Sequence, residues 1–125
     1  MERQYDIIIV GCGIGGGALA TVMARAGYSV LALEKSAAYR DLVRGEWLAQ
    51  WGVDEARRIG LYGTLIAAGG HHLKRHRFYG DATTAPEAEE GTLDLTALLP
   101  GSAGPLCLGH PTHCEALHNA AIAAG

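Results

Sequence analysis

The sequence predicts an α/β fold built on a βαβ unit, and three observations carry that reading. The first is a β-branched run, Ile7-Ile8-Ile9-Val10, apolar on both faces as a buried parallel strand would be. The second is the glycine cluster that follows it, in which five of the seven positions from 11 to 17 are glycine. The third is a second apolar run, Val30 to Leu33, that ends on Glu34. Between the cluster and this run, Leu19, Val22, Met23 and Ala26 recur at i, i+3, i+4 and i+7, which predicts a helix with one apolar stripe. Gly27 stands where a C-terminal cap belongs.

Composition removes several alternatives. The chain has 125 residues, 18 of them glycine with no G-X-Y period, so it is not collagen. Apolar residues make up 49% and charged residues 18%, which is too apolar for intrinsic disorder. A net charge of −3 argues against nucleic-acid binding through a basic surface, and the locally basic run His71-His72-Leu73-Lys74-Arg75-His76-Arg77 reads as a solvated strand face. Three cysteines, an odd number, do not make a secreted disulfide framework, and a cytoplasmic location is expected. Ile7 to Ala24 carries no charge, yet its central glycines would break the continuous helix a membrane span needs.

Further along, Asp54 is placed as the N-cap of a short helix through Arg58 that ends near Gly60. Residues 71–79 and 92–98 are expected to pair as a small hairpin. The acidic segment with Pro86, Glu87, Glu89 and Glu90 would be its turn. Pro111 opens a last helix with Leu117, Ala120, Ala121 and Ala124 as a small-residue stripe. The expected organisation is one domain over 1–125: a βαβ core at 1–35, an insertion at 36–109, and the start of the next crossover helix at 110–125. An α/β pattern would call for another strand next, so the expected fold is a partial Rossmann-like domain with an appended hairpin region, truncated before its sheet is complete.

Gly11-Cys12-Gly13-Ile14-Gly15-Gly16 matches G-x-G-x-x-G. The first glycine permits the tight turn, the second lets backbone approach a pyrophosphate, and the third lets helix and strand pack closely. A helix N-terminus then offers unpaired N–H groups and partial positive charge to the anion. Glu34, about 20 residues on, has the place of a carboxylate that accepts hydrogen bonds from adenosine ribose hydroxyls. It would repel a 2′-phosphate, which disfavours NADP at this site. The alternative is a structural glycine turn with Glu34 as an ordinary surface charge.

Tyr5 to Gly16, together with Val30 to Lys35, resembles the N-terminus of FAD-dependent oxidoreductases, most closely the flavoprotein monooxygenases with the aromatic-hydroxylase fold. Arg44-Gly45-Glu46-x-Leu48 resembles the arginine-glycine-glutamate segment of that family, whose arginine contacts the cofactor. His110 to Leu117 is similar to the segment that opens their next long helix, where the family usually has an arginine or glutamine that reaches the flavin. The resemblance implies FAD as cofactor, NADH or NADPH as electron donor, and hydroxylation of a small organic substrate. The alternatives are a noncatalytic nucleotide-binding module, or part of a flavin-dependent halogenase or prenyl reductase. In the family the N-terminal segment precedes a second flavin motif ending in Gly-Asp and most of the substrate pocket. Gly80-Asp81 is only a superficial match to that motif, so the chain by itself is expected to be a fragment without turnover.

The candidate cofactor-binding set is Gly11, Gly13, Ile14, Gly15, Gly16, Glu34, Lys35, Arg44 and His110. Arg44 reads either as a fixed cation near the pyrophosphate or as a loop arginine paired with Glu46 or Asp41, and the adjacent Gly-Glu favours the first. No catalytic nucleophile or base stands out. Cys107, His110, Cys114 and His118 have spacings that could suit zinc, but Cys114 falls on the apolar stripe of its helix, where a small thiol packs, so no metal is expected. Cys12 is expected to fill the turn rather than to react.

Overall fold

The computed structural model describes residues 3–41 and 46–125. Its first unit is the expected one. Strand β1 (Ile7–Val10), helix α1 (Ile14–Arg25) and strand β2 (Val30–Leu33) form a parallel pair with a helical crossover, Ile7 opposite Val30 and Val10 opposite Leu33. Asp6 pins the entry to β1, since its carboxylate accepts the Ser29 amide at 2.8 Å and the Ser29 hydroxyl at 2.7 Å. Gly27 follows the helix at φ +90°, the left-handed conformation a C-terminal glycine supplies.

The strands are not buried on both faces. Ile9 is buried against the helical side, while Ile8 and Val10 are 61% and 84% exposed. The helix also differs from its expected stripe. Gly17, Ala20, Thr21 and Ala24 are buried, and Leu19 is exposed. The buried face is the small-residue one because it meets the last helix, α5 (His110–Ala124), at close range. A Cβ on Gly17 would stand 3.0 Å from Leu117 Cβ, and the buried Thr21 hydroxyl lies within hydrogen-bond reach of both Gly17 O and Leu117 O.

The middle of the chain folds into short pieces. Strand β3 (Trp47–Leu48), helix α2 (Gln50–Arg58), helix α3 (Tyr62–Ala67), and strands β4 (His71–His72) and β5 (Arg75–His76) come first. Helix α4 (Ala85–Glu90) and strands β6 (Leu93–Asp94) and β7 (Leu106–Cys107) follow. Antiparallel β7 sits between β3 and β4, and β5 pairs with β6. Val53, Ala56, Leu61, Leu65, Leu106 and Leu117 form the core where α2, α3, β7 and α5 meet.

Three expectations are corrected here. The hairpin shrinks to Arg75–His76 against Leu93–Asp94, while His71–His72 pairs with β7 instead. Its acidic turn is the helix α4, started by Thr84, whose amide and hydroxyl both donate to Glu87 Oε2, at 2.9 and 2.7 Å. Asp54 does not cap α2. The helix begins at Gln50 behind Ala49, and Asp54 forms an i, i+3 pair with Arg57 at 3.1 Å. Gln50 is buried and donates from Nε2 to Leu95 O, tying α2 to the segment after β6. The last helix starts at His110, with Pro111 in its first turn, as its sequence suggests.

Candidate nucleotide site

The site is the turn between β1 and α1 with the loop that follows β2. Gly11 adopts φ +96°, which a side chain would strain, and donates its amide to Leu33 O at 2.7 Å, closing the end of the parallel pair. Gly16 carries the close packing: a Cβ there would meet Gly11 O at 1.8 Å. Gly13 is the N-cap of α1, and a Cβ on it would meet nothing within 4 Å, so its face is open to an approaching ligand. No side chain caps α1 and no acidic residue occupies its first turn. Its leading N–H groups, from Gly13 to Gly16, therefore have neither helical acceptors nor a carboxylate from the helix's own first turn.

Glu34 is joined to this turn directly. Its Oε2 accepts the Cys12 amide at 2.7 Å and its Oε1 accepts the Ser36 amide at 2.9 Å. These bonds, Cys12 first, hold the Glu34 carboxyl below its ordinary range. The depressed value makes this contribution fully present above about pH 4.5 and lost as pH falls through the lower folded value. Acidification should therefore weaken ADP binding in the wild type only as pH falls through that depressed value, below the ordinary glutamate range. Glu34→Gln should bind more weakly at pH 7 with a flatter profile, so the two affinities converge in acid. Titrations of both proteins from pH 3.5 to pH 7 check this, and parallel profiles would remove Glu34 from the site.

An open cleft of about 760 Å³ lies against these groups, lined by Gly13, Glu34, Lys35, Ser36, Ala37, Ala38, Tyr39, Arg40 and His110. Its volume is within the range that holds a cofactor. The structure thus brings Gly13, Glu34, Lys35 and His110 to one cleft, with Gly11, Ile14, Gly15 and Gly16 in the adjoining turn. Arg44 lies outside the described residues. His110 stands at the start of α5 with Nε2 3.7 Å from Cys114 Sγ, and its Nδ1 is buried without a hydrogen-bond partner among the described residues.

Cys12 is buried in the turn at 3% exposure, and burial followed by the nearby Glu34 charge raises its thiol pKa. The residues considered for zinc are dispersed in role. Cys107 is on β7, Cys114 is buried, and His118 packs edge-on to Tyr39. Among the described residues, no group of three or more His, Cys, Asp or Glu side chains is placed to hold a metal ion. No described helix is long and apolar enough to cross a membrane. Sequence reasoning missed Tyr39, whose hydroxyl donates to Cys12 O at 2.6 Å. An isolated aromatic in a polar loop was its only local signal.

Squalene epoxidase of Schizosaccharomyces pombe is 35% identical over 84 residues, covering 66% of this chain and 18% of that protein. Menaquinone reductase of Mycolicibacterium smegmatis is 31% identical over 86 residues, covering 69% of this chain and 21% of that protein. The chain thus spans about a fifth of the length of these curated relatives. The structure of p-nitrophenol 4-monooxygenase from Pseudomonas putida superposes with a TM-score of 0.76 at 16% identity, over 99% of this chain and 31% of that one, and so shares the fold. The family model for the FAD binding domain matches residues 4–118, and the chain belongs to that family.

Proposed function

We propose that this chain forms the ADP-binding part of an FAD-dependent oxidoreductase, a NAD(P)H-dependent monooxygenase acting on a small organic substrate. The observation that carries the reading is the Glu34 carboxylate bonded to the Cys12 amide beside the uncapped start of α1, with Glu34 and Gly13 lining one cleft. The pyrophosphate takes the free N–H groups of Gly13, Ile14, Gly15 and Gly16, with Arg44 as an additional cation. The ribose hydroxyls donate to Glu34, whose carboxylate oxygens have acceptor capacity beyond the Cys12 and Ser36 amides they already accept. Lys35 borders the adenosine end, and His110 borders the end nearer α5.

When bound, FAD supplies the electron transfer and the oxygen activation. The residues here bind and orient its nucleotide half. Similarity to squalene epoxidase supports oxygenation of an apolar organic substrate. A reductase that transfers electrons without inserting oxygen is the second reading, favoured by the similarity to menaquinone reductase.

Calorimetry with FAD and with ADP tests the site. Glu34→Ala removes a charged acceptor, and such bonds contribute about 1.5–3 kcal/mol each. Affinity for both ligands should fall about tenfold or more. Equal affinity in the variant would refute the assignment.

A further inference from the structure

We propose that Tyr39 is a positioning residue for the pyrophosphate, its hydroxyl setting the orientation of the Cys12–Gly13 peptide from which the Gly13 N–H projects. The proposal rests on the ADP-site reading above and names a residue that reading does not use.

Cys12 is held at both of its backbone polar groups by side chains from the loop after β2. Glu34 Oε2 accepts its N–H at 2.7 Å, and Tyr39 Oη donates to its C=O at 2.6 Å. The clamp is needed because of what flanks it. Gly11 at φ +96° and Gly13 at the helix start leave Cys12 between two glycines, where backbone rotation costs least. A peptide group is planar and trans, so its C=O and N–H point in opposite directions. Fixing Cys12 O therefore fixes the direction of the Gly13 N–H, one of the groups left without a helical acceptor.

Tyr39 is itself braced. Its ring stands edge-on to His118 of α5, with centroids 6.5 Å apart and planes at 70°. The turn is thus referenced to the helix that also packs against α1. Burial, then the nearby Cys12, Cys114, Glu34 and Glu115, raises its pKa, so the hydroxyl remains a donor throughout the neutral range.

A merely structural tyrosine and a positioning one differ in ligand dependence. Adenosine lacks the pyrophosphate and senses only the Glu34 end of the cleft, whereas ADP senses both ends. Tyr39→Phe keeps the ring against His118 and removes only the hydroxyl. In NMR titrations of the whole chain, Tyr39→Phe should raise the ADP dissociation constant about three- to tenfold. The adenosine constant should change less than about twofold. Tyr39→Leu also removes the ring, so both ligands weaken in it, but its ADP-to-adenosine affinity ratio should fall as in Tyr39→Phe. An unchanged ratio in both variants, with the wild type binding ADP, overturns the role of Tyr39 and leaves the nucleotide site standing. A wild-type chain that binds neither ligand overturns the site and this inference together.

Discussion

Gly16→Ala is expected to cost about 3 kcal/mol of stability, lowering the melting temperature by about 10 °C. The added Cβ would stand 1.8 Å from Gly11 O and 2.9 Å from Gly11 C, and both obstacles are backbone. A flexible side chain could swing away from such a contact. Gly11 cannot, because its amide is bonded to Leu33 O and its φ of +96° places it at the end of the β1–β2 ladder. Either α1 lifts from the strand or the ladder opens, and both separate the turn from Glu34. Gly15→Ala is the control: its Cβ meets nothing within 4 Å, and alanine is the better helix former by about 0.5–1 kcal/mol. Thermal melts of the two variants should move in opposite directions, Gly16→Ala downward and Gly15→Ala upward or unchanged. A Gly16→Ala chain that melts with the wild type would show that helix and strand are not in close contact at the turn.

This contrast between neighbouring glycines shows why the βαβ unit was legible. Each of its constraints acts within a few residues: the positive φ of Gly11, the close approach at Gly16, the left-handed Gly27. Glu34 was legible because the length of the crossover fixes its distance from the turn. The face of α1 was not. Leu19, Val22, Met23 and Ala26 suggested the packing side, and Val22 does pack against the core, but the buried side is Gly17, Ala20, Thr21 and Ala24, because α5 comes close enough to exclude larger residues. Apolar periodicity measures hydrophobicity, while a close helix crossing selects for small size.

The insertion was the least legible part, for a related reason. Its strands are two residues long, too short for alternation to show, and their partners are remote in sequence. Leu106 and Cys107 pair with Trp47–Leu48 on one side and His71–His72 on the other. In α2, the strong cap residue Asp54 lies five residues beyond the observed N-cap Ala49, whose side chain gives no cap signal. Thr84-x-x-Glu87 was a readable helix-start signal, obscured by Pro86 and the surrounding acidic residues, which suggested a turn. Tyr39 belongs to this class of long-range features: its hydroxyl reaches back 27 residues to Cys12, and no local pattern encodes that contact.

Gly13→Val is expected to separate binding from folding, with affinity for ADP and FAD falling about 100-fold or more while the chain stays folded. Gly13 has φ −64° and ψ −166°, an extended conformation that valine adopts without strain. Beyond its chain neighbours a Cβ there meets nothing within 4 Å, so the first side-chain carbon fits without a shift in the fold. The stability cost is that of a poorer N-cap, about 1 kcal/mol or less. For the ligand the same open space is the approach to the backbone. A branched side chain there keeps the pyrophosphate from reaching the N–H groups at the start of α1, and those groups have no acceptor within the helix. Gly13→Ala, with a single methyl, should be intermediate, at about tenfold. Calorimetry gives the affinities, and thermal melts confirm that both variants remain folded. A folded Gly13→Val chain with wild-type affinity for ADP would mean that the anion does not bind at this turn, whatever Glu34 contributes.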